Sequence, residues 1–130
     1  MTSFSRRLVA ETTLAVDDLI WPMFVIEGSD SAESVDSMPG VERHTIDRLV
    51  AQAGIAVELR IPVIAIFPAI DAALKDEDGS LARDGDNLVC RAVRAVKAAH
   101  PALGIVCDVA LDPFTRHGHV GVLRNGENEL

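Results

Sequence analysis

"IPVIAIF", residues Ile61 to Phe67, is apolar at every position. A strand with one face in water alternates apolar and polar residues. A run with no polar break is the pattern of a strand covered on both faces, as in a parallel sheet. Pro68 closes it, because proline has no N–H to give to a ladder. Just before it, "HTIDRLVAQAGIAVELR" (His44–Arg60) carries Ile46, Leu49, Val50, Ala53 and Val57. Those positions fall on one face of a helix. Thr45 is the expected N-cap, with Asp47 near the positive end of the helix. Gly54 weakens the helix slightly.

Further out, "DLIWPMFVI" (Asp18–Ile26) reads as the first strand, and Pro22 inside it predicts an edge position or a bend. The stretch Glu27–Val41, rich in Ser, Asp, Gly and Pro, is expected to be a loop. After Pro68, Ala69–Asn87 is polar and turn-rich, a long loop with room for a short helical turn. "LVCRAVRAVKAAH" (Leu88–His100) predicts a second helix that buries Leu88, Val89, Ala92, Val93 and Val96, and Pro101 stops it. "GIVCDVAL" (Gly104–Leu111) is the expected third strand. Apolar strands alternating with amphipathic helices give an α/β fold with a parallel sheet. Three strands suit a small doubly wound sheet or part of a barrel, and periodicity does not separate the two. Residues 1–17 precede the first strand as an N-terminal arm, and 18–130 carry the strands and helices.

The chain has 130 residues and a net charge of −8. That charge argues against a nucleic-acid binder, whose footprint is a basic patch. No apolar run reaches the length of a spanning helix, and the N-terminus "MTSFSRRLVAETTL" lacks the apolar core of a signal peptide. Cys90 and Cys107 do not make a disulfide framework. The expectation is a cytoplasmic chain with no membrane or nucleic-acid partner.

Strand parity selects one candidate residue. Side chains alternate faces, so Val106, Asp108, Ala110 and Asp112 share one side of the third strand. Cys107, Val109 and Leu111 share the other, which suits covering helices; Cys107 there reads as a small buried apolar residue. Asp108 is thus expected on a buried face, where a carboxylate needs a partner. Polar groups at the C-terminal ends of such strands are where sites form. The alternative is a structural aspartate bonded to loop amides. Asp112-Pro113 reads as a turn in which Asp112 caps local amides. His117 and His119 form an H-x-H pair, which falls short of the three or four ligands zinc needs; a hydrogen-bonding or solvent-exposed loop pair is the plainer reading. "KDEDG" (Lys75–Gly79) does not fit a calcium loop and is expected to be solvated. Phosphate-binding glycine loops and serine nucleophile elbows are absent.

At "CDVALDPFTRHGHVGVL" (Cys107–Leu123) the chain resembles the porphobilinogen synthase (delta-aminolevulinic acid dehydratase) family. "LIWPMFVIEG", "SMPGVERHTIDRLV", "PVIAIFP" and "LVCRAVRAVK" resemble it too, in the same order and at similar spacing. The likeness runs from Phe4 to about Leu123, and "RNGENEL" (Arg124–Leu130) reads as departing from it.

The resemblance implies the N-terminal part of a (β/α)8 TIM barrel, with an arm used in assembly, commonly to a homo-octamer. It implies a hydro-lyase that condenses two 5-aminolevulinate molecules to porphobilinogen in heme and other tetrapyrrole biosynthesis. Two lysines on later strands form the Schiff bases there; Lys75 matches a loop lysine and not one of these. Asp108 matches the family's active-site aspartate, which assists proton transfer or holds a substrate amine. Asp112, His117 and His119 fall in the active-site loop. Zinc-dependent members carry cysteines where this chain has Ala110, Asp112 and Val120. The resemblance therefore implies no metal at the active site, and leaves an allosteric magnesium as an option in a full-length parent. A complete barrel takes about 250 residues, so these 130 residues are expected to be an incomplete barrel domain without activity alone. A non-catalytic assembly piece binding full-length subunits, or a nonfunctional remnant, is the alternative.

Overall fold

The computed structural model describes residues 2–120, 122–124 and 127–129. Helix α1 (Ser3–Leu8) opens the arm, and a single 3-10 turn (Val16–Asp18) leads into strand β1 (Ile20–Ile26). Short strands β2 (Ala32–Ser34) and β3 (Glu42–Thr45) follow, then helix α2 (Ile46–Glu58) and strand β4 (Val63–Pro68). Helix α3 (Leu88–Ala99) and strand β5 (Gly104–Cys107) complete the main body. Strands β6 (Val122–Arg124) and β7 (Glu127–Glu129) form a separate antiparallel ribbon.

The main sheet has the order β2-β3-β1-β4-β5. β3, β1, β4 and β5 run parallel, and β2 joins the edge antiparallel to β3. The sequence predicts three parallel strands; the fourth, β3, takes Glu42 and Arg43 together with the first two residues of the expected helix, and β2 lies inside the expected loop. Its sequence, Glu-Arg-His-Thr, carries no apolar alternation. It becomes a strand through its ladder with β1, which pairs Phe24, Val25 and Ile26 with Arg43, His44 and Thr45.

That ladder also accounts for Pro22. β1 is internal to the sheet, not an edge strand. Yet β4 pairs with it from Ile20 to Val25, whereas β3 begins only at Phe24. Pro22 sits where one flank of β1 has no neighbour, so the strand tolerates its missing N–H.

Helices α2 and α3 lie on one face of the sheet. Leu49, Ala53 and Ala56 of α2 and Leu88, Ala92 and Val96 of α3 pack on Met23, Val25, Ile64 and Ile66. Fully burying a side chain such as Ile64 or Ile66 contributes about 1.5–3 kcal/mol. The other face is barer. Val63 and Phe67 are half-buried, Val106 is 48% exposed and Ile20 55%. The all-apolar β4 is therefore sealed by helices on one side only. Phe24 and Phe67 meet on the barer side, ring centroids 6.0 Å apart.

Thr45 is the N-cap residue of α2, but its hydroxyl makes no capping hydrogen bond to a backbone N–H of the helix. It accepts from the Ser31 N–H at 3.1 Å and donates to the Ser31 carbonyl at 3.0 Å. The Asp47 carboxylate accepts the Asp30 N–H at 2.9 Å. Gly54 lies under His100, whose Nε2 is 3.1 Å from the Val50 carbonyl. At the other helix, Lys97 Nζ donates to the carbonyls of Pro101 and Leu103, which fixes the turn into β5. No described helix is long and apolar enough to cross a membrane.

Candidate functional site

Because β1, β4 and β5 are parallel, the segments that leave them gather at one end of the sheet, where sites form in such folds. These are 27–41, 69–87 and 108–120. The latter two lock together. The Arg116 N–H donates to the Asp76 carbonyl at 2.9 Å, in a bridge that pairs Asp76 with Thr115. An Arg116 guanidinium N–H reaches the Lys75 carbonyl. Thr115 is fully buried, and its hydroxyl is shared between the carbonyls of Asp112 and His119.

Asp76 anchors its own loop. Its carboxylate accepts from the N–H groups of Asp78 and Ser80 and from the Ser80 hydroxyl. The Ser80 hydroxyl first, then the backbone N–H groups of Ser80, Asp78 and Gly79, hold the Asp76 carboxyl below its usual range. Gly79 is buried, with a φ of +59°, and a Cβ there would lie 2.6 Å from Leu111 Cδ1. The charged side chains of 75–79 are exposed or half-buried, as expected of a solvated loop, but the loop is ordered by Asp76 and anchored by the buried Gly79. The signal was in the sequence: an Asp followed by Gly and Ser is turn chemistry, with the Asp side chain bonding amides ahead of it.

The histidines sit at the same end with their rings stacked, centroids 5.8 Å apart. His117 Nδ1 accepts the His119 N–H at 3.2 Å, and its Nε2 is 3.3 Å from the Glu77 carbonyl. This requires the neutral tautomer with the proton on Nε2. Both ring nitrogens of His117 thus hold backbone, and Gly118 makes the intervening turn at φ +69°. The turn at Asp112-Pro113 is closed by backbone carbonyls instead of the Asp112 carboxylate: the Phe114 N–H donates to Leu111 and the Thr115 hydroxyl to Asp112.

Asp108 lies just past β5, which ends at Cys107 and not at Leu111. Cys107 is the last β5 residue paired with β4, opposite Ile66, and among the described residues β5 has no strand on its outer side. With its ladder gone, the chain leaves the sheet. Asp108 is exposed and Val109 fully so, which corrects the expectation of a buried Asp108. Parity had assumed a strand continuing through Leu111. Asp108 instead borders an open cavity of about 530 Å3 between α3 and residues 107–111, lined also by Val89, Val93, Arg94 and Phe114. Cys90 and Cys107 border it as free thiols. Burial, and next the Cys90 thiol, push the Cys107 thiol up, which suits an unreactive cysteine.

Among the described residues no three His, Cys, Asp or Glu side chains come together as a metal set. Ala110 and Val120 have no donor atom to offer beside Asp112. The residues present do not fit a zinc site at those positions.

The family model described as delta-aminolevulinic acid dehydratase matches residues 1–130. The matched span includes the closing "RNGENEL". The Bradyrhizobium diazoefficiens delta-aminolevulinic acid dehydratase is 53% identical over 123 residues, which are 95% of this chain and 35% of that protein. The Bos taurus enzyme of the same name is 37% identical over 114 residues, 88% of this chain and 35% of that one. The crystal structure of Toxoplasma gondii delta-aminolevulinic acid dehydratase, in complex with its product porphobilinogen, superposes with a TM-score of 0.89 at 32% identity. It covers 98% of this chain and 36% of its own. This chain spans between 35% and 38% of the first of the curated relatives it matches. Its sheet and helices form part of a (β/α)8 barrel, and the chain belongs to the delta-aminolevulinic acid dehydratase family.

Proposed function

We propose that this chain supplies the first third of a porphobilinogen synthase active site, at which two 5-aminolevulinate molecules condense to porphobilinogen. The observation that carries this reading is the place of Asp108: the residue that follows the last β5 residue, at the loop-bearing end of a parallel sheet, in a chain whose fold matches a product-bound relative. Asp108 serves there as a proton acceptor or as the anion that holds a substrate amine. The locked loops of Asp76, Thr115 and His117 shape the rim beside it. The site works without an active-site metal, since Ala110 and Val120 replace donors. The assembled protein is cytoplasmic and homo-oligomeric, an octamer, and the arm of residues 1–17 takes part in subunit contacts.

The chain alone makes no porphobilinogen. The test is colorimetric: the purified chain is assayed alone, and again joined in frame to the part of the Bradyrhizobium diazoefficiens relative that follows its matched region. Product is expected only from the joined chain, and Asp108→Asn in that chain should lower turnover by roughly 100-fold without lowering its Tm. Product from the short chain, or an unaffected Asp108→Asn variant, sinks the reading. A second reading is an assembly piece that binds full-length subunits. The bare β5 edge and the exposed Phe4, Leu8 and Leu14 of the arm favour it. Co-purification with a full-length relative supports it.

A further inference from the structure

The first half of β1, Ile20–Met23, has β4 on one side and, among the described residues, no strand on the other. Beside that flank lies a cavity of about 340 Å3. Trp21, Met23, Met38 and Val41 form its apolar walls, and His44 and Gln52 also line it. His44 is only 9% exposed. Its Nδ1 and the Gln52 Oε1 are both buried with no hydrogen-bond partner. Every other buried side-chain nitrogen or oxygen of the described residues has a partner. Native proteins rarely leave such atoms unpaired. Two of them lining one cavity mark a surface built to be covered by something that hydrogen-bonds.

Gln52 Oε1 is an acceptor, and His44 Nδ1 is one when the ring proton sits on Nε2. Gln52 Oε1 thus calls for a donor, and in that tautomer the same donor serves His44 Nδ1. Glu42 lines the same cavity, in a chain of net charge −8, and Trp21 presents an aromatic ring to it, so a cation is favoured over a neutral donor. The length of the relatives indicates its source. This chain covers 35% of the Bradyrhizobium diazoefficiens protein, and its parallel sheet is open along the same flank of β1 that borders the cavity.

We propose that this cavity is the seat of an amphipathic segment from the later part of the family's chain, and that the segment places a lysine or arginine on Gln52 Oε1 and His44 Nδ1 as a polar latch. This rests on the barrel reading above. The latch gives the closing segment one register, where an apolar groove alone would accept several.

The test compares Gln52→Leu and His44→Phe in two settings: the 130-residue chain and the joined chain described above. In the short chain, each replacement removes an unpaired polar atom and should raise Tm by about 2–4 °C. In the joined chain, each strands the incoming cation and should lower Tm by a similar amount. The 15N shift of His44 Nδ1 should also differ between the two settings, whether or not the short chain melts in one step. Shifts of Tm in the same direction in both chains, or an identical 15N shift, overturn the proposal. So does a short-chain Tm that rises with protein concentration and loses that dependence in Gln52→Leu, which would assign the cavity to a second copy. Porphobilinogen formation by the joined chain is read separately. Product without the reversal of sign sinks the latch alone, and the reversal without product sinks the enzymatic reading alone.

Discussion

One carboxylate at Asp76 takes three donors, two backbone N–H groups and the Ser80 hydroxyl. Its pKa is lowered from the ordinary 3.8, chiefly by the Ser80 hydroxyl. A carboxyl held lower in the folded than in the unfolded chain adds stability above its unfolded value. That stability is lost as pH falls through the folded value. Asp76→Asn should therefore lower Tm at neutral pH. The gap from the parent chain should close as the solution is acidified below pH 3.8. Melting curves recorded across that range check it, and a gap that is constant with pH would refute it. Three residues on, Gly79 combines a left-handed backbone with contact against Leu111. Gly79→Ala should destabilise by about 1–2 kcal/mol in urea unfolding, and a neutral result would mean that Leu111 moves aside. Neither role was visible in the charge of "KDEDG". The turn chemistry of Asp, Gly and Ser was, and it outweighed charge because each amide found the carboxylate within reach.

Among the elements, α3 is the most completely specified. Its apolar positions repeat at helical spacing, and its cap is in the sequence. The Asn87 side chain accepts the Cys90 N–H at 3.0 Å while its amide faces the carbonyls of Leu81 and Ala82. Asn87 is 6% exposed, so it serves helix and loop together. Asn87→Ala should cost about 1–2 kcal/mol, read by chemical denaturation, and a change under about 0.5 kcal/mol would assign the cap to solvent. The helices and β4 were legible because periodicity reports which face is buried. β3 was not, because Arg43 and His44 are held in a strand by neighbours more than 17 positions earlier in the chain. β5 was overextended for the converse reason: "GIVCDVAL" has strand propensity throughout, but its ladder with β4 stops at Cys107 opposite Ile66, although β4 itself runs on to Pro68.

For the whole molecule, periodicity alone left a doubly wound sheet and a barrel equally open. The motifs in "LIWPMFVIEG" and "CDVALDPFTRHGHVGVL" carried the decision, and the superposition supports the barrel. The candidate site was legible as a location, the end of the third strand, but not as an environment. Burial of Asp108 depends on what stands beside β5, and local sequence contains no information about that neighbour. The same holds inside the sheet, where Pro22 marked an open flank that belongs to the first half of β1 only.

The tie between Thr45 and Ser31 couples two segments in time as well as in space. Asp30 and Ser31 are exposed loop residues, whose amides would ordinarily exchange hydrogen with water almost at once. Here the Asp30 N–H is held by Asp47 and the Ser31 N–H by Thr45, both at the start of α2. Their release is expected to accompany the opening of the first turn of α2. In a deuterium-exchange experiment the two amides should exchange slowly, at the rate of the first α2 amides and with the same dependence on denaturant. Rapid exchange would show that loop and helix open separately. The loop that follows β1 would then be a reporter of helix opening, readable without placing a probe in the helix.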